Sequence, residues 1–289
     1  MFFFWATVSM IGYGLHGFFL AHFARRIDPL VCAAHRGFAL WFCMAPLLIF
    51  VEKNQWAQAV HFLAHFALVG FLGAVGFAFS LAATRFLPVG ILSAFQSAVR
   101  VVLVCLGGFI FFGESLSFWQ GICIGLILLC GFFLSVQKFT LAHLGHKSEK
   151  GFLLATAGAL AAATWWIFGA KISREISPFL FAFLGEWAVG FMTIVLVLLR
   201  VIFLREKIER IAKVDFWKIF AISTLTLFGT GGFFLAAALG PVGIVVAIGS
   251  GSILVAAIAG HFFFQEKLQI AHWLAVVGIF AGIFGLKMF

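Results

Sequence analysis

Ten apolar runs, most about 20 residues long and separated by short polar breaks, constrain this chain more than any other feature. Because hydrocarbon offers no partner for open backbone groups, such runs cross a bilayer as helices. The composition agrees, since 64% of the residues are hydrophobic and 10% are charged, whereas soluble domains carry roughly a quarter charged residues. The 41 Phe exclude a disordered chain. We therefore predict an all-α polytopic membrane protein with ten transmembrane helices.

The polar breaks give approximate bounds for the ten predicted spans, which are numbered here in chain order. In residue numbers they are 2–24, 30–50, 62–84, 88–112, 118–136, 151–170, 178–199, 219–239, 241–264 and 272–289. The most charged loop, 200–218, lies between the seventh and eighth spans.

Short matches about 150 residues apart relate the two halves of the chain. The matched segments are Pro88-Val89-Gly90-Ile91 with Pro241-Val242-Gly243-Ile244, Phe111–Leu116 with Phe263–Leu268, and Ile27-Asp28-Pro29-Leu30 with Ile176-Ser177-Pro178-Phe179. They lie at span starts and ends, which predicts a five-helix unit at 1–137, a polar linker at 138–150 and a second unit at 151–289. An odd number of helices per unit forces the two units to insert in opposite directions. Inverted repeats are typical of carriers that alternate access around a central site.

On these residues the sequence resembles the drug/metabolite transporter superfamily, in its ten-helix EamA-type branch. The resemblance covers the whole chain and rests on the 5+5 repeat, Pro88 and Pro241 at span starts, Gly113-Glu114, and Arg36 early in the second span. Gln265-Glu266 in the second unit departs from the Gly-Glu pattern. The resemblance implies a transporter of the plasma (bacterial inner) membrane and no enzyme. It implies no single substrate, because members move amino acids, nucleotide-linked metabolites or cations.

Ionisable groups at bilayer depth are the first candidates for a site, because each costs at least ~2.5–3.5 kcal/mol on insertion scales. Arg100 lies 12 residues beyond Pro88, which is about 18 Å along a helix and near mid-membrane. Its guanidinium could grip a carboxylate or phosphate, or it could form a structural pair with Glu186. Glu186 itself could bind a substrate ammonium, carry a coupling proton or neutralise an arginine. For Arg36, two turns into the second span, a structural role is favoured.

The other predicted substrate-binding residues are uncharged or weakly basic. They are His16, Gln96, Trp165, Trp166, Ser250 and Ser252. Gln96 lies one turn before Arg100 on the same helical face, so we expect it to be a co-ligand. The two tryptophans could stack on a substrate or simply fill the core. The two serines suit either close helix packing or substrate hydrogen bonds.

Two deep arginines against one deep glutamate favour a substrate with a negative group. We therefore predict a secondary active transporter of a small amino acid or other carboxylate- or phosphate-bearing or zwitterionic metabolite. Its midplane site would be built from spans 1, 2, 4, 6, 7 and 9. One alternative is an organic-cation or drug exporter that uses aromatic rings and Glu186. The other is a structural membrane protein without transport.

Several further functions are disfavoured by what the sequence offers. An intramembrane serine protease would need Ser250 or Ser252 to reach His261, which lies at least nine residues away. His61 and His65 share a helical face without a nearby carboxylate, so we predict no metal site. No phosphate-binding loop is present, and we expect no cofactor. The predicted partners are the small-molecule substrate and the lipid bilayer, with no nucleic acid. Monomer and homodimer remain open.

The loop charges predict an orientation that conflicts with the resemblance. Arg36 and Arg100 lie within spans, and thirteen of the other basic residues follow odd-numbered spans. The opposite side has four, which are Lys53, Lys171, Arg174 and Lys287. Positive-inside bias then puts both termini outside, whereas the resemblance implies the reverse. We favour the charge count.

Overall fold

The computed structural model describes residues 1–24, 26–136, 147–205, 211–264 and 270–289, and it forms helices without strands in these ranges. The helices are α1 Phe2–Ala24, α2 Pro29–Cys43, α3 Lys53–Val60, α4 Leu63–Ala83, α5 Val89–Phe112, α6 Phe118–Val136, α7 Lys147–Glu175, α8 Pro178–Leu204, α9 Lys213–Ser223, α10 Leu225–Leu239, α11 Val242–Ser250, α12 Ser252–Phe264 and α13 Ile270–Met288. Nine segments of this part of the chain are long and apolar enough to cross a membrane, and Phe118–Leu134 is a shorter apolar helix. The predicted all-α membrane fold is confirmed.

Three predicted spans are interrupted. The second continues past α2 as a 3-10 helix, Ala45–Phe50, which contains Pro46 and therefore lacks one backbone donor. The eighth breaks at Thr224 into α9 and α10, and the ninth breaks at Gly251 into α11 and α12. A Cβ at Gly251 would lie 2.7 Å from the sulfur of Met10, so α1 approaches the break closely. Hydropathy alone does not reveal such breaks, because the sequence stays apolar across them.

The structure also differs from the predicted bounds at two places. A short helix, α3, follows the second span, where a polar break was expected. The sixth span is longer than predicted, since α7 includes Lys147 to Lys150 of the predicted linker and ends at Glu175. The remaining linker residues and Gln265-Glu266 lie outside the described residues.

The repeated Pro-led loops begin their helices with matching caps. The Asp28 side chain accepts hydrogen bonds from the amides of Leu30 and Val31 at the start of α2, and the Ser177 side chain accepts one from the amide of Leu180 at the start of α8. Asp28 also accepts a hydrogen bond from Arg200 at 2.9 Å. Partial burial raises the pKa of Asp28, but the bonds from Arg200 and the two amides outweigh it and hold the pKa below its usual value. The carboxylate therefore ties α8 to the start of α2.

Small residues let the central helices approach closely. A Cβ at Gly37 of α2 would lie 2.5 Å from the Cα of Gly190 on α8, so these two helices meet backbone to backbone. Helix α1 packs against α10, α11 and α12, while α4 packs against α7 and α8. Helices α6 and α13 pair with each other at the side of the bundle. This packing directs side chains of α1, α2, α5, α7, α8 and α10 toward one central region.

Both ends of the chain lie on one face of the bundle, here called the terminal face. Phe2 packs against Gly240, and Phe289 stacks on Trp119 with ring centroids 5.6 Å apart. The opposite face, here called the basic face, includes Arg26, Arg85, Arg200 and Lys218. Five of the basic residues used for the orientation prediction, Arg25, Lys138, Lys207, Arg210 and Lys267, are outside the described residues. The orientation stays a prediction.

Candidate functional site

A buried ion pair between the two repeat units lies at the centre of the bundle. The Arg36 Nη2 of α2 lies 3.3 Å from Glu186 Oε2 and 3.5 Å from Oε1 on α8. The two residues are 4% and 3% exposed. Arg36 Nε donates to His16 Nε2 on α1 at 3.1 Å, which makes that ring nitrogen an acceptor. The Arg36 guanidinium also lies 4.4 Å from the ring centre of Phe77 on α4.

Two hydroxyl groups extend this pair toward α1. Thr230 of α10 donates to Glu186 Oε1 at 2.5 Å, and the Tyr13 hydroxyl lies 2.7 Å from the Thr230 oxygen. His16, Arg36, Glu186, Thr230 and Tyr13 thus form one continuous hydrogen-bonded chain. A buried carboxylate is stabilised by an opposite charge and by hydrogen bonds, and Glu186 receives both, from Arg36 and Thr230.

Arg100 lies near the middle of α5 and has a different environment. Its Nε donates to the backbone carbonyl of Gln96 at 3.2 Å, and its Nη2 donates to Ser97 Oγ at 3.3 Å. The guanidinium carbon lies 5.9 Å from the ring centre of Trp166. Within the described ranges no carboxylate lies within ion-pair distance of Arg100. The sequence left open a structural ion pair between Arg100 and Glu186. That alternative is wrong, because Glu186 pairs with Arg36.

An aromatic wall stands beside Arg100. Trp166 of α7 packs on Phe233 with centroids 3.9 Å apart, and its centroid lies 5.6 Å from that of Tyr13. Tyr13 and Arg100 are both partly exposed, unlike the buried Arg36 and Glu186. A Cβ at Gly17, one turn after Tyr13 on the same face of α1, would meet no atom within 4 Å. No neighbouring side chain therefore fills the position beside Gly17, and the guanidinium of Arg100 lies against the aromatic wall at Trp166.

The charges of this region do not balance. Arg36 and Arg100 contribute two positive charges and Glu186 contributes one negative charge, while His16 accepts a hydrogen bond through a nitrogen that carries no proton. The described central residues therefore have one unit of positive charge that no protein carboxylate pairs. Such a charge at bilayer depth costs several kcal/mol on the common scales, roughly 2.5 or more, unless a counterion or water reaches it.

The remaining predicted site residues have interhelical or local contacts. Gln96 Nε2 donates to Ser80 Oγ at 2.9 Å and to the Ala155 carbonyl at 3.1 Å, so its amide joins α5 to α4 and α7. Trp165 packs on Phe234 with centroids 5.3 Å apart, on a different side of α7 from Trp166. Its indole nitrogen is buried and has no hydrogen-bond partner in the described part of the chain.

The two predicted serines lie at the Gly251 break. Ser250 donates to the Ala247 carbonyl of its own helix at 2.6 Å. A Cβ at Gly14 would lie 2.8 Å from the Ser252 carbonyl oxygen, so α1 touches the backbone of the ninth span here. The contact at Ser252 shows close helix packing, whereas the hydroxyl of Ser250 is bonded within its own helix. A contact of either hydroxyl with substrate stays a prediction.

Glu114, which follows the fourth span, caps a helix and forms an ion pair. Its Oε2 accepts the Val242 amide at 2.8 Å at the start of α11, and its Oε1 accepts Arg174 Nη2 at 2.8 Å. Arg174 also donates to the carbonyls of Ala237 and Gly240. These bonds hold α5, α7, α10 and α11 together at the terminal face.

Three residues that contact the central ion pair or its hydrogen-bonded chain were not predicted from the sequence. Tyr13, Thr230 and Phe77 come from α1, α10 and α4, and the last two helices belong to spans that were not expected to supply the site. One signal was available for Tyr13, because it is the single tyrosine among 41 Phe. An isolated hydroxyl in a chain so rich in phenyl rings indicates a hydrogen-bonding role. Thr230 and Phe77 have no comparable signal.

Comparisons with known proteins agree with this architecture. The sequence profile of the EamA-like transporter family matches residues 1–136 and 149–288. A solved structure described only as "Crystal structure of protein" superposes with a TM-score of 0.70, covering 97% of this chain and 96% of the other at 12% identity. At that identity the likeness shows the fold alone. No curated protein sequence matches the chain.

The ion pair predicts a stability coupling between Arg36 and Glu186. Arg36→Met and Glu186→Leu each leave one buried charge unpaired, so each should destabilise the protein by about 3–5 kcal/mol. The double variant removes both charges and should melt above either single variant. Thermal unfolding of the detergent-solubilised chain measures this, and losses that simply add in the double variant would show that the two groups are not coupled.

Proposed function

Since the chain belongs to the EamA-like transporter family, and is thus a membrane transporter of the drug/metabolite transporter superfamily, we propose that it is a secondary carrier for a small metabolite with a carboxylate or phosphate group. Amino acids and other zwitterions fall within this class. The site is the space beside Arg100, Trp166 and Tyr13 near the middle of the membrane. We place the carrier in the plasma (bacterial inner) membrane.

The observation that carries this proposal is the unpaired charge of Arg100. Its partners are one carbonyl, one hydroxyl and one aromatic face, all of them neutral. A guanidinium presents a planar fork of donors that fits a carboxylate or phosphate. A substrate anion would neutralise the excess charge where water is scarce. The Trp166 and Tyr13 rings would cover an apolar part of the same molecule.

An organic cation gains less support from this geometry. Glu186 is the deep acid that a cation would need, and Arg36 and Thr230 already occupy its oxygens. A cation would have to displace Arg36 and would enter a region with excess positive charge. The ammonium of a zwitterion would meet less electrostatic repulsion, because the carboxylate of the same molecule would pair with Arg100.

The inverted repeat and the contacts at the two faces support alternating access. Arg174 and Glu114 join helices of different units at the terminal face, at 2.8 Å. Arg200 and Asp28 do the same at the basic face, at 2.9 Å. Both pairs are partly exposed, so they can exchange with water at small cost. Opening one set at a time would expose Arg100 first to one side and then to the other.

Glu186 is the group that would couple transport to protons. Ionised Glu186 neutralises Arg36, whereas protonated Glu186 leaves both arginines with uncompensated charge. Proton binding would therefore strengthen anion binding, and by linkage the anion would favour the protonated form. This arrangement supports symport of one proton with the anion.

The Arg100 site predicts a sharp loss of anion transport on mutation. Arg100→Ala should abolish counterflow uptake of a labelled carboxylate or phosphate compound in proteoliposomes. Arg100→Lys should retain a fraction of it, because the charge stays and the fork is lost. A panel of amino acids, nucleotides and organic cations identifies the compound.

Lys171→Ala is the matched control, because Lys171 is an exposed cation near the terminal face. It should leave uptake unchanged. Anion uptake that survives Arg100→Ala would overturn the proposed site, and cation uptake that is unchanged or increased in Arg100→Ala would identify the exporter alternative.

Glu186→Gln tests the coupling separately from binding. The amide keeps the shape of the side chain and can still accept hydrogen bonds, so we expect counterflow to persist. Uptake driven by an imposed pH gradient should be lost, because the amide cannot take up a proton. A variant that still follows the pH gradient would contradict the assignment of the proton to Glu186.

A further inference from the structure

A second feature of the bundle lies apart from the Arg100 site, at the membrane boundary of the basic face. A groove of about 340 Å³ runs between the end of α1 and α9. Its walls are mostly apolar side chains, namely Phe18, Phe19, Phe23, Ala221 and Ile222. The central transport site uses none of these residues.

Three basic side chains lie at or beside this groove. Lys218 and His22 line it directly, and the Arg26 guanidinium is hydrogen-bonded to the His22 ring. Lys218 and Arg26 are exposed. Among the described residues, those that line the groove include no acidic side chain, and their polar end is positively charged.

Basic and apolar groups follow the same order on both helices. Helix α1 runs toward the basic face, so Phe18 and Phe19 lie deeper than His22 and Arg26. Helix α9 begins at that face, so Lys218 lies nearer to the surface than Ile222. Both walls therefore present cations at the level of the headgroups and rings or aliphatic groups below them.

We propose that this groove binds an anionic phospholipid. One acyl chain lies against the rings of Phe18, Phe19 and Phe23, and the phosphate lies between Lys218 and Arg26. Basic pockets between membrane helices recognise anionic headgroups in this way. Free phosphate would leave the apolar walls uncovered, and a neutral lipid would leave the two cations without net compensation. The groove has cations at the level of the headgroups and apolar side chains below them, and this order favours a lipid with net negative charge.

The test is native mass spectrometry of the full chain in detergent, with equimolar dioleoyl phosphatidylglycerol and dioleoyl phosphatidylcholine. The wild type should retain phosphatidylglycerol preferentially. The double variant Arg26→Gln/Lys218→Gln should lose affinity for it by roughly fivefold for each charge removed. The matched control, Lys53→Gln/Lys171→Gln, removes two exposed cations from the terminal face and should behave as wild type.

A third variant fills the groove without changing charge. Ala221→Phe should weaken binding of both lipids, because the new ring occupies the place of the acyl chain. Glycerol phosphate, which has no acyl chain, should not compete. Equal retention of the two lipids by wild type, or equal loss in both double variants, would overturn the proposal. A groove variant that alters the oligomeric mass and leaves lipid retention intact would also overturn it, since the occupant would then be a second copy of this chain.

Discussion

The pairing of Arg36 with Glu186 is the interaction on which the rest of the central structure depends. A charge at bilayer depth is costly without a counterion and hydrogen bonds, and Arg36 and Glu186 supply both to each other. Arg36 belongs to the first repeat unit and Glu186 to the second, so the pair also joins the two units at the centre of the bundle. The Gly37 and Gly190 contact brings α2 and α8 close together nearby. Because Glu186 is used in this way, Arg100 has no carboxylate partner among the described residues, and we propose that a substrate supplies one.

The structure thus separates two kinds of basic residue that look alike in sequence. Arg36 is buried, bonded to an acid and a histidine, and stacked on Phe77. Arg100 is partly exposed and bonded to neutral groups of its own helix. The first arrangement stabilises the fold, whereas the second leaves a donor fork beside an aromatic wall. The proposed carrier mechanism uses both, because the helices must stay together while the proposed binding group, Arg100, changes partners.

Much of the fold could be predicted from the sequence, because membrane spans are defined by length and hydropathy, and the Pro-led repeats mark helix starts. The sequence also located the deep charges, since Arg36, Arg100 and Glu186 interrupt apolar runs. It did not reveal which arginine pairs with Glu186, because that depends on how α2 and α5 pack around α8. The break at Gly251 was hidden for a related reason, because it accommodates the close approach of Met10 within apolar sequence. Thr230 and Phe77 join the cluster through packing alone.

In the proposed site, the negative group of a substrate pairs with the charge of Arg100. The most direct measurement is an experimental structure of the full chain in a lipid nanodisc with the transported anion bound. The account predicts a carboxylate or phosphate within hydrogen-bond distance, about 2.7–3.2 Å, of the Arg100 guanidinium, with the rest of the molecule against Trp166 and Tyr13. A substrate whose negative group lies elsewhere, or whose positive group lies on Glu186 while Arg100 keeps its bonds to Gln96 and Ser97, would contradict it.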